Sequence, residues 1–519
     1  MRAMDPTPAH PPGPPRRWLG LPQLRAFAKN YLGATQKLRD AHGDVACMHI
    51  GREHSVDVFT PDLMRIALVD HAEHLVRWER GPAAFAASQG QGLLVAEGEA
   101  WAQQRRCLQP GFTPKRVATY LPLMVGACAN ALDHLRDADL PTLDVDACLT
   151  RLTMDVILRT LFSAPASADT SEVAAAVRAL GQLAMADMLL PFKRPAWWPH
   201  PNRARRRWAL HTVDTLIWTH IRARQQLSAE HRAAHTDLLA MLMSAVDDAR
   251  RPLSDQALRD QCMTLFQAGH DTTASALTWW AWALAAHPEV AQAARAEVDT
   301  VLQGRPPEAH DLAHLPQLEQ SIKESLRLYP PVPALMNRRT TAPLQLGPWT
   351  IPKGWLLRLT PWVLHHDAAH FPEPERFNPA RFAADATPPI PRGAYLPFGT
   401  GPRVCIGQQF AMSEMLLIAA MLLQRFEWQP LAGAAEPVPH LNVTLRPKDG
   451  LTLAFKRRGT PPPAVPTAPS RPAVATQGGR ADRSAAPLCR QAHAKGGWHS
   501  TGSARSGHAL GALAPLKGH

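Results

Sequence analysis

Residues Pro397 to Gly407 read Pro-Phe-Gly-Thr-Gly-Pro-Arg-Val-Cys-Ile-Gly and open directly onto an apolar helical stretch, Gln408 to Gln424. Glycines at 399, 401 and 407 permit positive φ and let the backbone lie close against a flat body. Arg403, two residues before Cys405, offers a cation to an anionic group on that body. The following helix turns its N-terminus toward the sulfur, and its dipole and free N–H groups favour thiolate over thiol. A thiolate held this way suits a soft or intermediate metal, and iron in a porphyrin fits the rest of the loop. A lone cysteine before a helix is ordinarily a buried structural residue; Phe398, the glycines and Arg403 at fixed offsets weigh against that here.

The chain has 519 residues, 45% hydrophobic and 19% charged, which suits a globular protein with a large core. Seven cysteines (47, 107, 128, 148, 262, 405 and 489) form no CxxC pair. That pattern argues against a disulfide framework or a structural zinc site and for a reducing compartment. About half of the +12 net charge falls after Gly459, where seven Arg or Lys face one Asp. Elsewhere the signs mix along helical stretches, as on solvated faces, so the charge is no nucleic-acid signature. It can still steer an acidic redox protein to the surface. Residues 1–17 lack an apolar run, and the uncharged run at the end of the longest helical pattern, Thr272 to Ala286, has fifteen residues, too short to span a bilayer. A cytoplasmic protein without a transmembrane anchor, monomeric and not bound to nucleic acid, is expected.

In chain order, residues 1–20 read as a flexible, proline-rich lead-in. Leu21 to Ala41 has helical periodicity, Val45–Ile50 and Ser55–Phe59 read as a hairpin, and Thr60-Pro61 starts a helix. Residues 78–95 lack periodicity and read as a loop over a pocket. Trp101 and Arg105 share a helix face one turn apart. Helical patterns follow at 114–136, 143–162, 171–190, 203–227 and 236–247, with a proline-braced, basic and aromatic lid at 191–199. Ser254–Ala286 is the longest helical pattern, yet Ala268-Gly269-His270-Asp271-Thr272-Thr273 puts poor helix formers at its middle. A threonine hydroxyl there can bond back to the carbonyl four residues earlier, bending the helix and admitting water. Glu324 and Arg327 lie three apart on an apolar helix, and Val332-Pro333-Ala334-Leu335-Met336 runs extended and apolar after it. Strand-like stretches at 344–351, 355–361 and 451–455 supply a small sheet. From 458 to 519 the composition turns to Pro, Ala, Gly, Ser and Arg and reads as a disordered basic tail.

The cysteine loop resembles the heme-binding loop of the cytochromes P-450, F-x-x-G-x-R-x-C-x-G, at every fixed position, and the resemblance runs over roughly residues 20–457. It implies a mainly α fold, a large helical heme domain (residues 21–457) with a small β-sheet region. It makes Cys405 the proximal iron ligand of heme b (iron protoporphyrin IX), with Phe398, Ala268 and Gly407 against the cofactor and Arg403 on a propionate. Trp101 and Arg105 match the family's W-x-x-x-R pair, whose side chains donate to a propionate. Arg338 resembles a further propionate-binding arginine by its spacing, with Arg339 a close competitor. Residues 268–273 match A/G-G-x-D/E-T-T, which implies that Asp271 and Thr272 deliver protons during oxygen activation. Glu324, Arg327 and Arg376 match the family's buried charged triad, and Ala268, Val332, Ala334 and Leu335 fall where its substrate pocket is lined.

These positions imply a monooxygenase that hydroxylates or epoxidises an apolar small molecule with O₂. Electrons would come from a separate donor of ferredoxin or flavodoxin/reductase type, since nothing in the tail resembles a reductase module. A heme-thiolate peroxygenase or isomerase, which needs no oxygen-linked proton relay, and a non-enzymatic helical binding protein are the alternative readings.

Overall fold

The helical period of residues 21–41 is broken at Asn30, whose side chain accepts from the Gly33 amide (2.9 Å) and caps a second helix. The computed structural model, which describes residues 10–15, 18–138, 141–166, 170–190, 202–246 and 250–459, therefore starts with α1 (Leu21–Lys29) and α2 (Tyr31–His42). The lid expected at 191–199, most of the lead-in and the tail from 460 lie outside these residues. The hairpin follows as β1 (Val45–Ile50) and β2 (Glu53–Val58), and Thr60 caps α3 (Pro61–Arg65) through the Leu63 amide. After β3 (Leu75–Arg77) comes α4 (Arg80–Gln89), where a loop was expected. Its Gly, Ala and Ser content hides the period, because only Gly81, Phe85, Ser88 and Gln89 are buried.

Then come α5 (Gly98–Leu108), α6 (Pro114–Ala138), β4 (Thr142–Asp144), α7 (Val145–Phe162), α8 (Thr170–Leu189) and α9 (Arg203–Gln226). The short α10 (Ala229–Ala233) and α11 (Leu238–Ser244) lead to α12 (Asp255–Ala286), α13 (Pro288–Leu302) and α14 (Pro316–Leu328). The Ser254 hydroxyl caps α12 through the Ala257 amide (3.2 Å). The helix crosses the core against α7, and Gly269 is the point of approach: a Cβ there would lie 2.8 Å from Ile157 Cδ1. Thr153 Oγ1 of α7 donates to the His270 carbonyl (3.0 Å) at the same crossing. Close packing of this kind explains a glycine that propensity alone disfavours.

Four short strands, β5 (Arg338–Thr340), β6 (Leu344–Leu346), β7 (Trp349–Ile351) and β8 (Leu356–Leu359), precede α15 (Pro361–His365) and α16 (Gln408–Arg425). The chain closes on β9 (Phe426–Pro430), β10 (Pro439–Leu441), β11 (Leu445–Pro447) and β12 (Thr452–Arg457). One sheet has the order β1-β2-β8-β5-β3, with β2 and β8 parallel; another is β4-β12-β9; β6–β7 and β10–β11 are two-stranded. The main apolar core joins α6, α7, α12, α14 and α16. Among the described residues no helix is long and apolar enough to cross a membrane.

Behind the cysteine loop lies a charged brace. Arg327, fully buried, donates from Nε and Nη2 to the two carboxylate oxygens of Glu324 (2.7 and 2.8 Å), and from Nη1 to the carbonyls of His365 and Pro374 (both 2.7 Å). The third member is not Arg376. Its guanidinium is 65% exposed and pairs with Glu373 (3.1 Å), while its carbonyl accepts from Arg327 Nη2 (3.2 Å). Asn378 caps a 3-10 turn, Pro379–Phe382, that swings Arg381 inward, so that Arg381 Nε reaches Glu324 Oε1 (3.3 Å). The Leu396 amide donates to His365 Nε2 (2.9 Å), which leaves the Nδ1 proton for the Arg327 carbonyl (3.1 Å). Burial holds this imidazole neutral, its pKa well below the ordinary value, and it ties the brace to the strand of chain entering the cysteine loop. Arg327→Ala should cost about 3–5 kcal/mol by leaving Glu324 inadequately paired, whereas Arg376→Ala should stay within about 0.5 kcal/mol. Denaturant unfolding of the two variants checks this, and equal losses would contradict the assignment.

Candidate active site

The loop Pro397–Gly407 is shaped as its glycines require at two of three positions. Gly399 and Gly401 have φ of 73° and 77°, and a Cβ on Gly401 would overlap the Leu68 carbonyl oxygen. Gly407 does not need the left-handed region: with φ −89° it is the residue before α16. The Cys405 amide donates to the Phe398 carbonyl (3.0 Å), which closes the loop, and the Gly407 amide hydrogen-bonds the thiol. Cys405 is exposed by solvent contact yet enclosed on all sides by protein, because the surface it meets is the wall of an internal cavity. Burial pushes the thiol up, and the Gly407 amide and the Arg105 guanidinium pull it down. Burial is the largest of these effects, and the amide at the start of α16 acts in the expected direction, toward thiolate, without outweighing it. A cation at the sulfur would favour the charged form further.

The cavity is about 1500 Å³, more than the roughly 300–1000 Å³ of a pocket for one drug-sized ligand. Ala268, Asp271 and Thr272 of α12 line it, as do Val332, Ala334, Leu335 and Arg338 from the segment after α14 and Phe398, Arg403, Cys405 and Gly407 from the loop. It extends between the N-terminal helices and the first sheet, past Leu24, Phe27 and Tyr31. Trp101 and Arg105 are not on its wall. Trp101 lies under the Arg403 guanidinium, 4.2 Å from ring centre to the guanidinium carbon, a cation–π support. Arg105 Nη1 donates to the Val404 carbonyl (2.9 Å) and so pins the loop beside the cysteine.

Three buried arginines converge on the cavity: Arg77, Arg338 and Arg403. Arg77 was not foreseen. It stands at the end of β3, where Val76 and Arg77 pair with Arg339 and Arg338 of β5, and no local motif marks it. Burial, then Arg403, pushes Arg77 down to about 9 and Arg338 to about 10, with Glu97 as the opposing acid for both. Glu97 pairs with Arg403 (2.7 Å) and more loosely with Arg77 (3.5 Å), and Arg77 Nε has no hydrogen-bond partner. Guanidinium groups remain charged at neutral pH, so one carboxylate faces three cations and the site calls for further anions. Of the two neighbouring arginines, Arg339 is outside the cavity wall, bridging Glu53 (3.2 Å) and Glu79 (2.9 Å), while Arg338 is on it.

On the opposite element, α12 runs unbroken through its poor helix formers. Thr272 Oγ1 donates to the Ala268 carbonyl (2.8 Å) and Thr273 Oγ1 to Gly269 (3.2 Å), the back-bonding expected of them. Asp271 accepts from Thr444 Oγ1 (2.7 Å) and Arg446 Nη2 (2.8 Å). Burial raises its carboxyl, but Arg446, His270 and the Thr444 hydrogen bond outweigh that and hold it below the ordinary carboxylate value. Sequence reasoning also passed over Glu414 of α16. It is buried, hydrogen-bonds Thr273, has an unpartnered Oε2, and is pushed up to about 8 by burial. Amphipathic periodicity gives no reason to single out one acid in a helix this apolar.

The sequence profile of the cytochrome P450 family matches residues 11–455. The chain belongs to that family. It is 33% identical over 397 residues, 76% of this chain and 84% of the relative, to a cyclooctat-9-en-7-ol 5-monooxygenase of Streptomyces melanosporofaciens. It is 31% identical to a taurochenodeoxycholic 6 alpha-hydroxylase of Sus scrofa, over 78% of this chain and 83% of the relative. Among solved structures it is similar to the retinoic acid bound cyanobacterial CYP120A1, with a TM-score of 0.75 at 26% identity, over 86% of this chain and 99% of that one. The fold is thus that of a cytochrome P450, and the protein is a P450 monooxygenase of a family that carries heme iron.

Because Glu414 titrates near 8 in the fold against an ordinary value of 4.5, the stability it contributes is complete below about pH 4.5 and is lost as pH rises through about 8. Glu414→Gln should therefore unfold at a higher temperature than wild type at about pH 9, with the gap closing toward about pH 5. Parallel thermal melts across that range test it, and a pH-independent gap would show that Glu414 is charged in the fold.

Proposed function

We propose that the protein is a heme b-dependent monooxygenase that inserts one oxygen atom into an apolar small molecule, with electrons from a separate redox protein. The single observation that carries this reading is the cavity that sets Cys405 and three buried arginines on one side and Asp271 and Thr272 on another. The residues fit heme on several counts. The cavity leaves room for a macrocycle and a substrate together. Gly401 lets the loop close against the Leu68 carbonyl, where a Cβ would overlap, and so holds Cys405 on the cavity wall. Arg77 Nε, in loose ion contact with Glu97 but without a hydrogen bond, and the surplus of guanidinium charge suit a group with two carboxylates. When bound, heme supplies the activation of O₂ and the one-electron chemistry.

The chain's own residues do the rest. The Cys405 sulfur would be the thiolate ligand of the iron, and the Gly407 amide and Arg105 favour its charged form. Arg77, Arg338 and Arg403 would hold the carboxylates, with Trp101 supporting Arg403 by a cation–π contact and Glu97 paired to the cluster. Phe398, Gly407 and Ala268, all on the cavity wall, would lie against the cofactor. Thr272 Oγ1 commits its proton to the Ala268 carbonyl at rest, so its lone pairs can take a proton from cavity water and pass one on by turning from that carbonyl. Asp271, ionised against Arg446, would take up a proton from cavity water, hand it to that relay and return to the carboxylate. Val332, Ala334 and Leu335 present an apolar wall to the substrate and exclude water beside the reacting C–H bond. The relatives named as a cyclooctat-9-en-7-ol 5-monooxygenase and a taurochenodeoxycholic 6 alpha-hydroxylase are oxygen-inserting enzymes by name, which supports the reaction type.

Reduced protein under carbon monoxide should show the red-shifted Soret band of thiolate ligation, and Cys405→Ala should lose it; an imidazole-type band would refute the reading. Arg77→Ala should keep the fold yet retain severalfold less heme through gel filtration. Thr272→Ala should raise, by severalfold, the share of reductant electrons that leave as hydrogen peroxide; unchanged coupling removes Thr272 from the relay. Turnover should need an added reductase and electron carrier.

A further inference from the structure

The short hairpin β10–β11 belongs to no motif of the reaction, yet it is fastened to α12 beside Asp271 by several bonds. Thr444 Oγ1 donates to Asp271 Oδ2 (2.7 Å). Arg446 Nη2 donates to Asp271 Oδ1 (2.8 Å) and to the Asp271 carbonyl (3.1 Å), reading side chain and backbone of one residue together. Arg446 Nη1 is held in turn by Asp146 at the start of α7. The Leu445 carbonyl accepts from Ser275 Oγ and Trp279 Nε1 (both 2.7 Å), one and two turns further along α12. The Leu445 amide donates to the Pro331 carbonyl (3.0 Å). Seven hydrogen bonds, two of them also ion pairs, are far more than two strands of three residues need to stay paired, and three of them end on Asp271.

The charged groups around Asp271 come from four elements: Arg446 from β11, Asp146 from α7, His270 from α12 itself and, through His270, Arg178 from α8. Arg446 is the only one of them bonded directly to the Asp271 carboxylate among the described contacts, and Thr444 completes its shell. An Arg fork fixes direction as well as charge. An aspartate that is merely near a cation would rotate freely about χ1; this one has both oxygens engaged from one side.

We infer that the hairpin β10–β11 is the positioning device of the proton relay, with Arg446 and Thr444 as positioning residues that anchor and aim the Asp271 carboxylate. This rests on the relay role proposed for Asp271. The consequence is specific. With the aim lost, O₂ reduction should stop more often at two electrons and two protons, releasing H₂O₂, and proceed less often to four electrons and four protons, releasing two waters.

The test uses the heme-loaded enzyme with NADPH, a ferredoxin reductase and a ferredoxin in excess, without added substrate, and reads peroxide formed per NADPH consumed. Arg446→Met should raise that ratio severalfold, Thr444→Val should raise it less, and Arg446→Lys should restore most of it, with the reduced carbon monoxide band at wild-type intensity throughout. Thermal unfolding supplies the second readout: the loss in midpoint caused by Arg446→Met should be at least halved in an Asp271→Asn background, a non-additivity that a remote structural role does not produce. Thr444→Val serves the same cycle if Arg446→Met does not fold. Additive losses overturn the inference, whatever the peroxide ratio does, and so does an unmoved ratio when Asp271→Asn itself raises it. If Asp271→Asn leaves the ratio at the wild-type value, the relay reading fails instead, and the cycle alone decides the clamp.

Discussion

A buried guanidinium that has every donor engaged can only be satisfied by bringing distant pieces of chain together, and Arg327 does this for the proximal half of the molecule. It ties α14 to the segment around Pro374–Arg376 and to α15 through carbonyls that have no other buried donor of this strength. Glu324, shared between Arg327, Arg381 and the Asn378 amide, closes the network. Such a brace is costly to break once assembled, since any lost member leaves a buried charge. Through His365 it reaches the Leu396 amide, and thus holds the entry to the loop that carries Cys405.

The same logic of uncompensated charge runs the cavity. Arg77, Arg338 and Arg403 are brought together by strand pairing and by the loop, against a single Glu97. On the far element the balance is reversed: Asp271 has its cation in Arg446 and is satisfied within the protein. The arginine cluster is left for an anion to complete, while Asp271 is completed by the fold. This asymmetry fits a cofactor-holding side and a proton-handling side.

Much of the site is readable from sequence because its parts are local. Cys405, Arg403 and the glycines lie within one loop, Asp271 and Thr272 within one helical turn, and Trp101 and Arg105 one turn apart. The structure brings the loop and the helical turn to one cavity and sets Trp101 and Arg105 behind its wall, bonded to Arg403 and Val404. Reading failed where the answer depends on which way a side chain turns. Arg376 and Arg381 sit five residues apart in similar surroundings, and only the cap at Asn378 decides which enters the core. Helix α4 was taken for a loop because small residues give weak periodicity, and α1–α2 for one helix because Asn30 looks unremarkable inside a helical pattern. The helix N-terminus favours the Cys405 thiolate as read, through the Gly407 amide, but the opposing burial is visible only in the fold.

The sequence by itself determined the family, the predominance of helix and the chemistry of the loop, because spacing along a chain is preserved whatever the rest of the fold does. Tertiary structure alone decided that Arg338 rather than Arg339 faces the cavity, that Arg77 joins it, that Glu414 is buried against Thr273, and that Arg446 holds Asp271. These are contacts between elements far apart in the chain, 175 residues for Arg446 and Asp271. Their outcome is set by strand register, by the close α7–α12 crossing at Gly269 and by competition for buried hydrogen bonds. None of these leaves a periodic or short-range trace in the residues themselves.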